Sequence, residues 1–285
     1  MNRLTKLCTI AGLFIALMAT MTASAQVAPT TIIVDENNAN WGYMVETGTG
    51  TGEFVTGPAT PPLGTGSAQL TLDTTSSGVF IGTAQFAGIR LDDLTKLEYS
   101  TYNSVGDNTV APALQINIDY DLTDSFTSWQ GRLVFEPYYD NTIVDGTWQT
   151  WNPLAGRWWS SGDPVVGDAT QTRDCPISSP CDLATILTLY PFAGVQTGSL
   201  SGLLFKAGSG WLAGYTGNVD DFTIGINGAN ETFDFEPIPP CSTDCYVDAA
   251  TGDDSNSGAS WGDPLATVQV ALDLVDANGT VHVAP

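Results

Sequence analysis

The chain has 285 residues, of which 42% are hydrophobic, and it carries 31 acidic against 8 basic side chains for a formal net charge of −23. This length suffices for one large β-domain or two smaller units. The charge argues against a nucleic-acid-binding protein, because neutralising phosphates requires lysine and arginine.

The N-terminus has the pattern of a secretory signal. Arg3 and Lys6 precede an apolar run over 10–18, and small residues follow at 23–25. A run of this length is shorter than the roughly 20 residues that span a bilayer. The pattern predicts a signal peptide over 1–25, a secreted or cell-surface product, and no membrane span after cleavage.

Residues 26–236 read as an all-β domain. Short runs rich in β-formers are separated by Gly, Pro, Asn and Asp, which is typical of a sandwich or barrel. The run "LQINIDYD" alternates apolar and polar residues, as a half-buried strand does. One segment, "SSPCDLATILTLYP", predicts a short helix with Ser179 as N-cap and Pro180 at its first position.

A cluster of aromatic residues in the second half of this domain suggests a binding surface. Exposed Trp and Tyr offer large contact areas at low entropic cost, and sugar rings stack on them. The alternative is a structural role, because Trp is largely buried on average. An ideal strand would place Trp148 and Trp151 on opposite faces and would split the adjacent pair Trp158 and Trp159 in the same way. The predicted glycan-binding residues are Tyr138, Tyr139, Trp148, Trp151, Trp158 and Trp159.

The strings around these aromatics are similar to those of secreted bacterial jelly-roll and lectin-like carbohydrate-binding sandwiches. Such modules often hold a structural calcium ion between an early and a late acidic residue. The resemblance therefore implies Ca²⁺ as a structural cofactor bound by Asp35 or Glu36 together with Asp220 or Asp221. A second candidate is the "GDDSNSG" loop with Asp248. In each cluster the alternative is turn formation, since Asp caps turns through its own side chain.

Four cysteines follow the predicted signal peptide, and an even number in an exported chain predicts disulfides. The local pairs Cys175–Cys181 and Cys241–Cys245 are preferred, although three pairings are possible. A zinc site is the alternative, but the spacings fit it poorly.

The segment "FEPIPPCSTDC" predicts a stiff linker over 237–245. After it, the pattern "YVD…GDD…G…W…PLATVQ…A…GTVHV" resembles the N-terminal capping segment of right-handed parallel β-helix, pectin-lyase-like proteins. The resemblance implies that 246–285 form the cap and first rung of a truncated β-helix, since one rung buries its face only against the next. The expected fold is a jelly-roll-like β-sandwich followed by this truncated start of a β-helix.

None of the common catalytic motifs occurs, and Glu136 beside aromatics is the best single candidate for an acid. We expect a secreted, non-catalytic surface or matrix module that binds polysaccharide or cell-surface matrix, as a fragment of a larger β-helix protein. The alternative is the N-terminal part of a polysaccharide lyase or glycoside hydrolase whose catalytic β-helix is missing. A spacer with every Trp buried is a third reading.

Overall fold

A computed structural model describes residues 30–126, 128–162, 174–198 and 202–285. The predicted signal peptide over 1–25 lies outside the described residues, so it stays a prediction. Among the helices of the described part, none is long and apolar enough to cross a membrane.

The described residues are mostly β-strand, with two short α-helices. The strands are β1 Thr30–Val34, β2 Trp41–Thr47, β3 Gly50–Thr56, β4 Gly66–Leu72, β5 Gly78–Thr83, β6 Leu94–Val105, β7 Ala113–Asp119, β8 Arg132–Phe135, β9 Gln149–Trp151, β10 Arg157–Ser160, β11 Cys181–Asp182, β12 Gly194–Val195, β13 Leu203–Ala207, β14 Thr216–Ile226, β15 Ala229–Phe235, β16 Asp244–Val247 and β17 Thr280–Val283. The α-helices are α1 Leu183–Leu189 and α2 Val268–Leu274, and 3₁₀ turns lie at Leu91–Asp93, Pro137–Tyr139 and Pro153–Ala155.

Two large sheets form a sandwich from these strands. Within the described residues, a seven-stranded sheet runs β1-β15-β14-β4-β3, with β6 beside β14 and β9 beyond β6. An eight-stranded sheet runs β11-β10-β8-β7-β13-β5-β2, with β12 also on β7. The pair β1–β15 is parallel, whereas β14 pairs antiparallel with β15, β4 and β6. The predicted all-β sandwich class is confirmed.

An aromatic core joins the two sheets. Trp41 stacks on Phe205 with ring centroids 6.3 Å apart and meets Phe222 and Phe235 edge-on at 6.1 and 5.2 Å. Such edge-to-face pairs add to the free energy gained by burying aromatic area. The alternation predicted for "LQINIDYD" is present in β7, where Leu114 and Ile116 belong to this core.

The predicted helix in the sandwich begins later than its sequence suggested. Ser179 and Pro180 are not its start, because Cys181 and Asp182 first pair with β10. Asp182 is the N-cap, and its Oδ1 accepts a hydrogen bond from the Thr185 N–H at 2.7 Å. The helix still buries Ile186, as its apolar spacing predicted.

Both local disulfides are present. Cys175 bonds Cys181, and Cys241 bonds Cys245. The preferred pairings are therefore confirmed, and these four thiols are not available as zinc ligands.

The C-terminal segment forms a small unit with its own hydrophobic cluster. Strands β16 and β17 pair in parallel, and α2 lies between them in the chain. Cys241, Cys245, Val247, Leu265 and Ala271 make up the cluster. Within the described residues this segment is one two-stranded sheet and one helix rather than a repeated solenoid.

Candidate functional site

One face of the eight-stranded sheet points away from the core and is strongly polar. In β7, Leu114 and Ile116 face the core, so the alternating residues Gln115, Asn117 and Asp119 face the opposite way. Each of these three is nevertheless less than one-tenth exposed. Long side chains from neighbouring strands and loops must therefore cover this surface, which we call the polar face.

The strand register aligns one row of residues across the polar face. Each of its members pairs with the next on the adjacent strand, and this central row comprises Trp159, Val134, Gln115, Leu204, Gly82 and Gly42. Five steps of about 4.8 Å give a length of about 24 Å. A Cβ at Gly42 would meet nothing within 4 Å. The row thus begins at the Trp159 indole and ends at a glycine with free space beside its Cα atom.

Arg132 is the hub of the hydrogen bonds on the polar face. Its Nε donates to Asn117 Oδ1 at 3.0 Å, Nη1 donates to Gln115 Oε1 at 3.2 Å, and Nη2 donates to Glu46 Oε1 at 2.6 Å. The guanidinium also lies 5.8 Å from the centre of the Phe80 ring. These contacts fix the planar fork of the arginine in one orientation.

Glu46 bonds two cations on this face, because Lys206 Nζ also donates to its carboxylate. Burial alone would raise the pKa of Glu46, but the hydrogen bonds from Arg132 and Lys206 outweigh it and lower that pKa below its usual value. Glu46 is therefore ionised at neutral pH.

A cavity of about 280 Å³ opens at the Trp159 end of the central row. Trp159 and Trp211 both line it, together with Gln115, Glu136 and Lys206. The Trp159 indole N–H donates to Glu136 Oε2 at 3.0 Å. The cavity thus combines two indoles with amide, carboxylate and ammonium groups, which is a mixed apolar and polar lining typical of small-molecule sites.

Glu136 lines this cavity, and two tyrosines lie next to it in the chain. Burial raises the pKa of Glu136, although hydrogen bonds from Tyr138 and Trp159 favour its ionised form. The rings of Tyr138 and Tyr139 are 4.4 Å apart, and the Tyr139 hydroxyl donates to the Ile177 carbonyl at 2.7 Å. The structure therefore brings three predicted residues, Tyr138, Tyr139 and Trp159, together around one carboxyl group.

The other three predicted aromatics lie elsewhere. Trp151 and Trp158 are core residues, 4% and 1% exposed, and their indole N–H groups donate to Thr101 Oγ1 and the Pro153 carbonyl. They are not available to a ligand, because strand alternation turns them inward. Trp148 lies next to β9 of the seven-stranded sheet and donates to the Pro58 carbonyl.

Sequence reasoning did not place four residues of the polar face: Arg132, Lys206, Glu46 and Trp211. They come from separate strands and one loop, and only the strand register brings them together. No signal in the sequence indicated the partners of Arg132.

The structure gives the four residues predicted as calcium ligands separate local roles. In the part of the chain that the structure describes, no group of three or more His, Cys, Asp or Glu side chains could hold a metal ion. Asp35 and Glu36 accept hydrogen bonds from the N–H groups of Asn37 and Ile238. Asp220 accepts from two backbone N–H groups, and Asp221 occupies a left-handed backbone position with φ of 52°.

The second calcium candidate is also built as a turn. Asp248 accepts from the Ala250 N–H and the Thr251 hydroxyl, and Asp253 does the same for Ser255. This is the local turn chemistry that the sequence left as the alternative. Calcium binding itself stays a prediction.

Comparisons with known proteins give a few distant structural similarities. No family model matches the chain, and no curated protein matches it. The chain is similar to the family 11 carbohydrate-binding module of the cellulosomal cellulase Lic26A-Cel5E of Clostridium thermocellum, with 14% identity over 67% of this chain and 90% of that chain and a TM-score of 0.37. It is also similar to TmCBM61 in complex with β-1,4-galactotriose, with 10% identity, 66% and 89% coverage and a TM-score of 0.31. A third similarity, to the arabinose-bound MgGH51 α-L-arabinofuranosidase, has 10% identity, covers 66% of this chain and 23% of that chain, and has a TM-score of 0.36. Similarities this low do not assign a family or a ligand, so function has to be inferred from the polar face itself.

Proposed function

We propose that this chain is a glycan-binding module whose polar face holds a neutral polysaccharide along the central row. The single observation that carries the proposal is the alignment of Trp159 with Gln115, Leu204 and two glycines across six strands. This alignment places the Trp159 indole, the Gln115 amide and the open position at Gly42 in one line, while side chains of neighbouring residues cover the middle of the row.

The chemistry of the row suits a chain of sugars. An indole offers a flat apolar face to the C–H face of a sugar ring, and Trp is a residue well suited to such contacts. Gln115 and Arg132 present groups that can bond hydroxyls, and Glu136 accepts from any donor in the cavity. Gly42 leaves space where a side chain would otherwise stand.

The electrostatics favour a neutral rather than an acidic glycan. Arg132 and Lys206 both bond Glu46, and the carboxyl group of Glu136 lines the same cavity as Lys206, so an acidic ligand would meet two carboxyl groups beside the two cations. The chain as a whole carries a formal charge of −23, which repels polyanions at long range.

Affinity gel electrophoresis tests this proposal. The purified protein is run through gels that contain mixed-linkage β-glucan, xylan, galactan or polygalacturonate. We expect at least one neutral polysaccharide, and not polygalacturonate, to retard the protein. Trp159→Ala and Gly42→Leu should abolish the retardation, the first by removing the platform and the second by filling the open position at the end of the row.

Trp261→Ala is the matched control, because Trp261 is 52% exposed and belongs to the C-terminal segment. It should run like the wild type in every gel. Normal migration of the wild type in all the gels, or equal retardation of wild type and Trp159→Ala, would count decisively against the proposal.

We further propose that the segment 246–285 opens a right-handed parallel β-helix and that the protein is exported. The parallel pair β16–β17, joined through a helix that buries Ala271, supports the first statement. The two disulfides support the second, since such bonds persist in oxidising compartments. N-terminal sequencing of the secreted protein, with Gln26 expected first, tests export. Reading the gene beyond codon 285 for repeats of about 20 to 50 residues tests the solenoid.

A further inference from the structure

Trp129 is a largely exposed indole that lies outside both the central row and its cavity. It belongs to the connection between β7 and β8, and it is 57% exposed. Tryptophan is highly buried on average, so a side chain that keeps more than half of its surface in water is unusual. Neither the core of the sandwich nor the cavity beside Trp159 accounts for its position, because it belongs to neither.

A hydrogen bond to Asn117 places Trp129 on the polar face. The Trp129 indole N–H donates to Asn117 Oδ1 at 3.4 Å, and the same oxygen accepts from Arg132 Nε at 3.0 Å. Asn117 faces away from the core, as does Gln115 two positions before it on β7. Trp129 therefore stands on the hydrogen-bonded groups that lie directly beside the central row.

The connection that carries Trp129 is held at its base by a buried amide. The next residue, Gln130, is 4% exposed. Its Oε1 accepts from the Tyr120 N–H at 3.1 Å, and its Nε2 donates to Asp119 Oδ1 at 3.1 Å. Trp129 is thus fixed both through its neighbour in the chain and at one edge of its ring. A ligand that stacks on a side chain held in this way avoids part of the entropic cost of binding.

The strand register gives the spacing between Trp129 and the platform at Trp159. Trp159 pairs with Val134 of β8, and Arg132, two residues earlier, pairs with Asn117 of β7. Two strand spacings of about 4.8 Å across the sheet and two residues of about 3.4 Å along it put Asn117 about 12 Å from Trp159. One hexose ring is shorter than this distance. A ligand that covers both indoles must therefore contain at least two linked sugar units.

The bonded N–H determines what Trp129 offers to such a ligand. Because Asn117 already accepts from the indole nitrogen, the ring presents its apolar face rather than a free donor. An apolar aromatic face suits the C–H face of a sugar ring. A chain that follows the central row from Trp159 passes over Gln115, about 7 Å from Asn117 along β7, so the Trp129 ring flanks it there.

We propose that Trp129 is a second aromatic platform of the polar face, which stacks on a different sugar unit of the same chain that Trp159 binds. This inference rests on the proposed function and deepens it by specifying the ligand. The ligand is an extended neutral glycan that contacts the face with several consecutive units, and a single sugar is too short to contact both platforms.

Calorimetric titration with oligosaccharides of defined length tests the second platform. Two-, four- and six-unit oligosaccharides from mixed-linkage β-glucan, xylan and galactan are titrated into the wild type, Trp129→Ala and Trp159→Ala. In the series that binds, each substitution should weaken binding of the six-unit ligand about tenfold, as is typical of aromatic residues that dominate a binding surface. Trp129→Tyr keeps an aromatic ring and should recover most of the lost affinity.

Fluorine magnetic resonance of protein labelled with 5-fluorotryptophan separates contact with the ligand from an indirect effect. The signals that disappear in Trp129→Tyr and in Trp159→Tyr identify the two resonances. The six-unit ligand should shift both resonances with one dissociation constant. A Trp129 resonance that the six-unit ligand leaves unmoved would contradict the proposal even if Trp129→Ala binds weakly, since the substitution would then act through Asn117 and Arg132.

The same titrations distinguish this inference from the proposed function. Binding that Trp159→Ala weakens and Trp129→Ala leaves unchanged would refute the second platform alone. Binding that Trp129→Ala weakens and Trp159→Ala leaves unchanged would refute the central row and keep Trp129 as a platform. No binding in any of the three series would refute both. Trp261→Ala, which removes an indole that is 52% exposed on the C-terminal segment, is the control and should bind like the wild type.

Discussion

Asp220 provides a sharp test of the electrostatics of the sandwich. Its side chain is fully buried, and its two oxygens accept hydrogen bonds from the Phe235 N–H at 3.2 Å and the Leu63 N–H at 3.0 Å. It thereby ties β15 to the connection between β3 and β4. Burial raises the pKa of Asp220 to about 7, with a smaller contribution from Asp234, although backbone N–H groups favour the carboxylate.

The raised pKa of Asp220 makes stability depend on pH in a defined direction. An aspartate in the unfolded chain has a pKa of about 3.9. Between that value and about 7 the folded protein holds a proton that the unfolded chain has lost, so the free energy of unfolding falls as pH rises. The contribution is complete below pH of about 4 and is lost as pH rises through about 7. From pH 5 to pH 8 about two pH units lie below the folded pKa, which gives about 2 to 3 kcal/mol.

Asp220→Asn removes this dependence, because the amide is neutral at every pH. Its Oδ1 accepts only one of the two N–H groups, which costs about 1 kcal/mol at all pH values. The free energy of unfolding of the wild type minus that of the variant should therefore fall by about 2 to 3 kcal/mol between pH 5 and pH 8. At pH 8 the variant should be the more stable protein.

Urea unfolding followed by tryptophan fluorescence measures this difference at pH 5, 6, 7 and 8. EDTA in the buffer removes any contribution from a bound cation. Asp182→Asn is the control, since Thr185 hydrogen bonds lower the pKa of Asp182 and Asn is an equally good N-cap. A difference that stays constant from pH 5 to pH 8, or an equal slope in the control, would refute the assignment of the proton to Asp220.

Three further substitutions test the packing and the polar face, each by urea unfolding. Trp158→Ala should destabilise the protein by about 3 to 5 kcal/mol because it empties a core site. Trp159→Ala should lower the free energy of unfolding by less than about 2 kcal/mol. Equal losses would contradict the assignment of one indole to each face of the sheet. Replacing Cys175 and Cys181 together by serine should lower the free energy of unfolding by about 2 kcal/mol, as expected for a loop closed over a sequence separation of 6. An unchanged free energy of unfolding would show that the disulfide does not constrain the unfolded chain. Glu46→Gln should cost about 1 to 3 kcal/mol because it leaves two largely buried cations without their carboxylate, and unchanged stability would mean that solvent already screens them.

Local patterns in the sequence predicted the structural features that depend only on residues close together in the chain. The alternation in β7 and the small disulfide loops required only short-range geometry, and both are present. The same alternation separated Trp158 from Trp159 without showing which of them faced the core. That choice depends on β8 and β7, since Trp158 lies opposite Phe135 and Phe135 lies opposite Leu114 of the core.

The residues of the polar face were harder to predict because they depend on pairing between distant strands. Glu46 and Arg132 are 86 positions apart, and Glu46 and Lys206 are 160 apart. No local pattern encodes a contact over such a separation. The roles of the four carboxylates predicted to bind calcium were hard to predict for a related reason: similar carboxylates serve a turn, a loop and a strand junction, and only the fold shows which backbone N–H each one satisfies.

The polar face owes its suitability for binding to its own internal hydrogen bonds. Arg132 is held by Asn117, Gln115 and Glu46 before any ligand arrives, so binding need not order its side chain. Ordering a long side chain on association costs about 0.5 to 1.5 kcal/mol, and a surface that has already been ordered avoids that cost. Hydroxyl groups form weak individual hydrogen bonds. The lower entropic cost of binding to a surface that is already ordered therefore matters more for a glycan site than for an ionic site. The same internal hydrogen bonds that hold Arg132 and Lys206 against Glu46 therefore prepare the face for a neutral ligand.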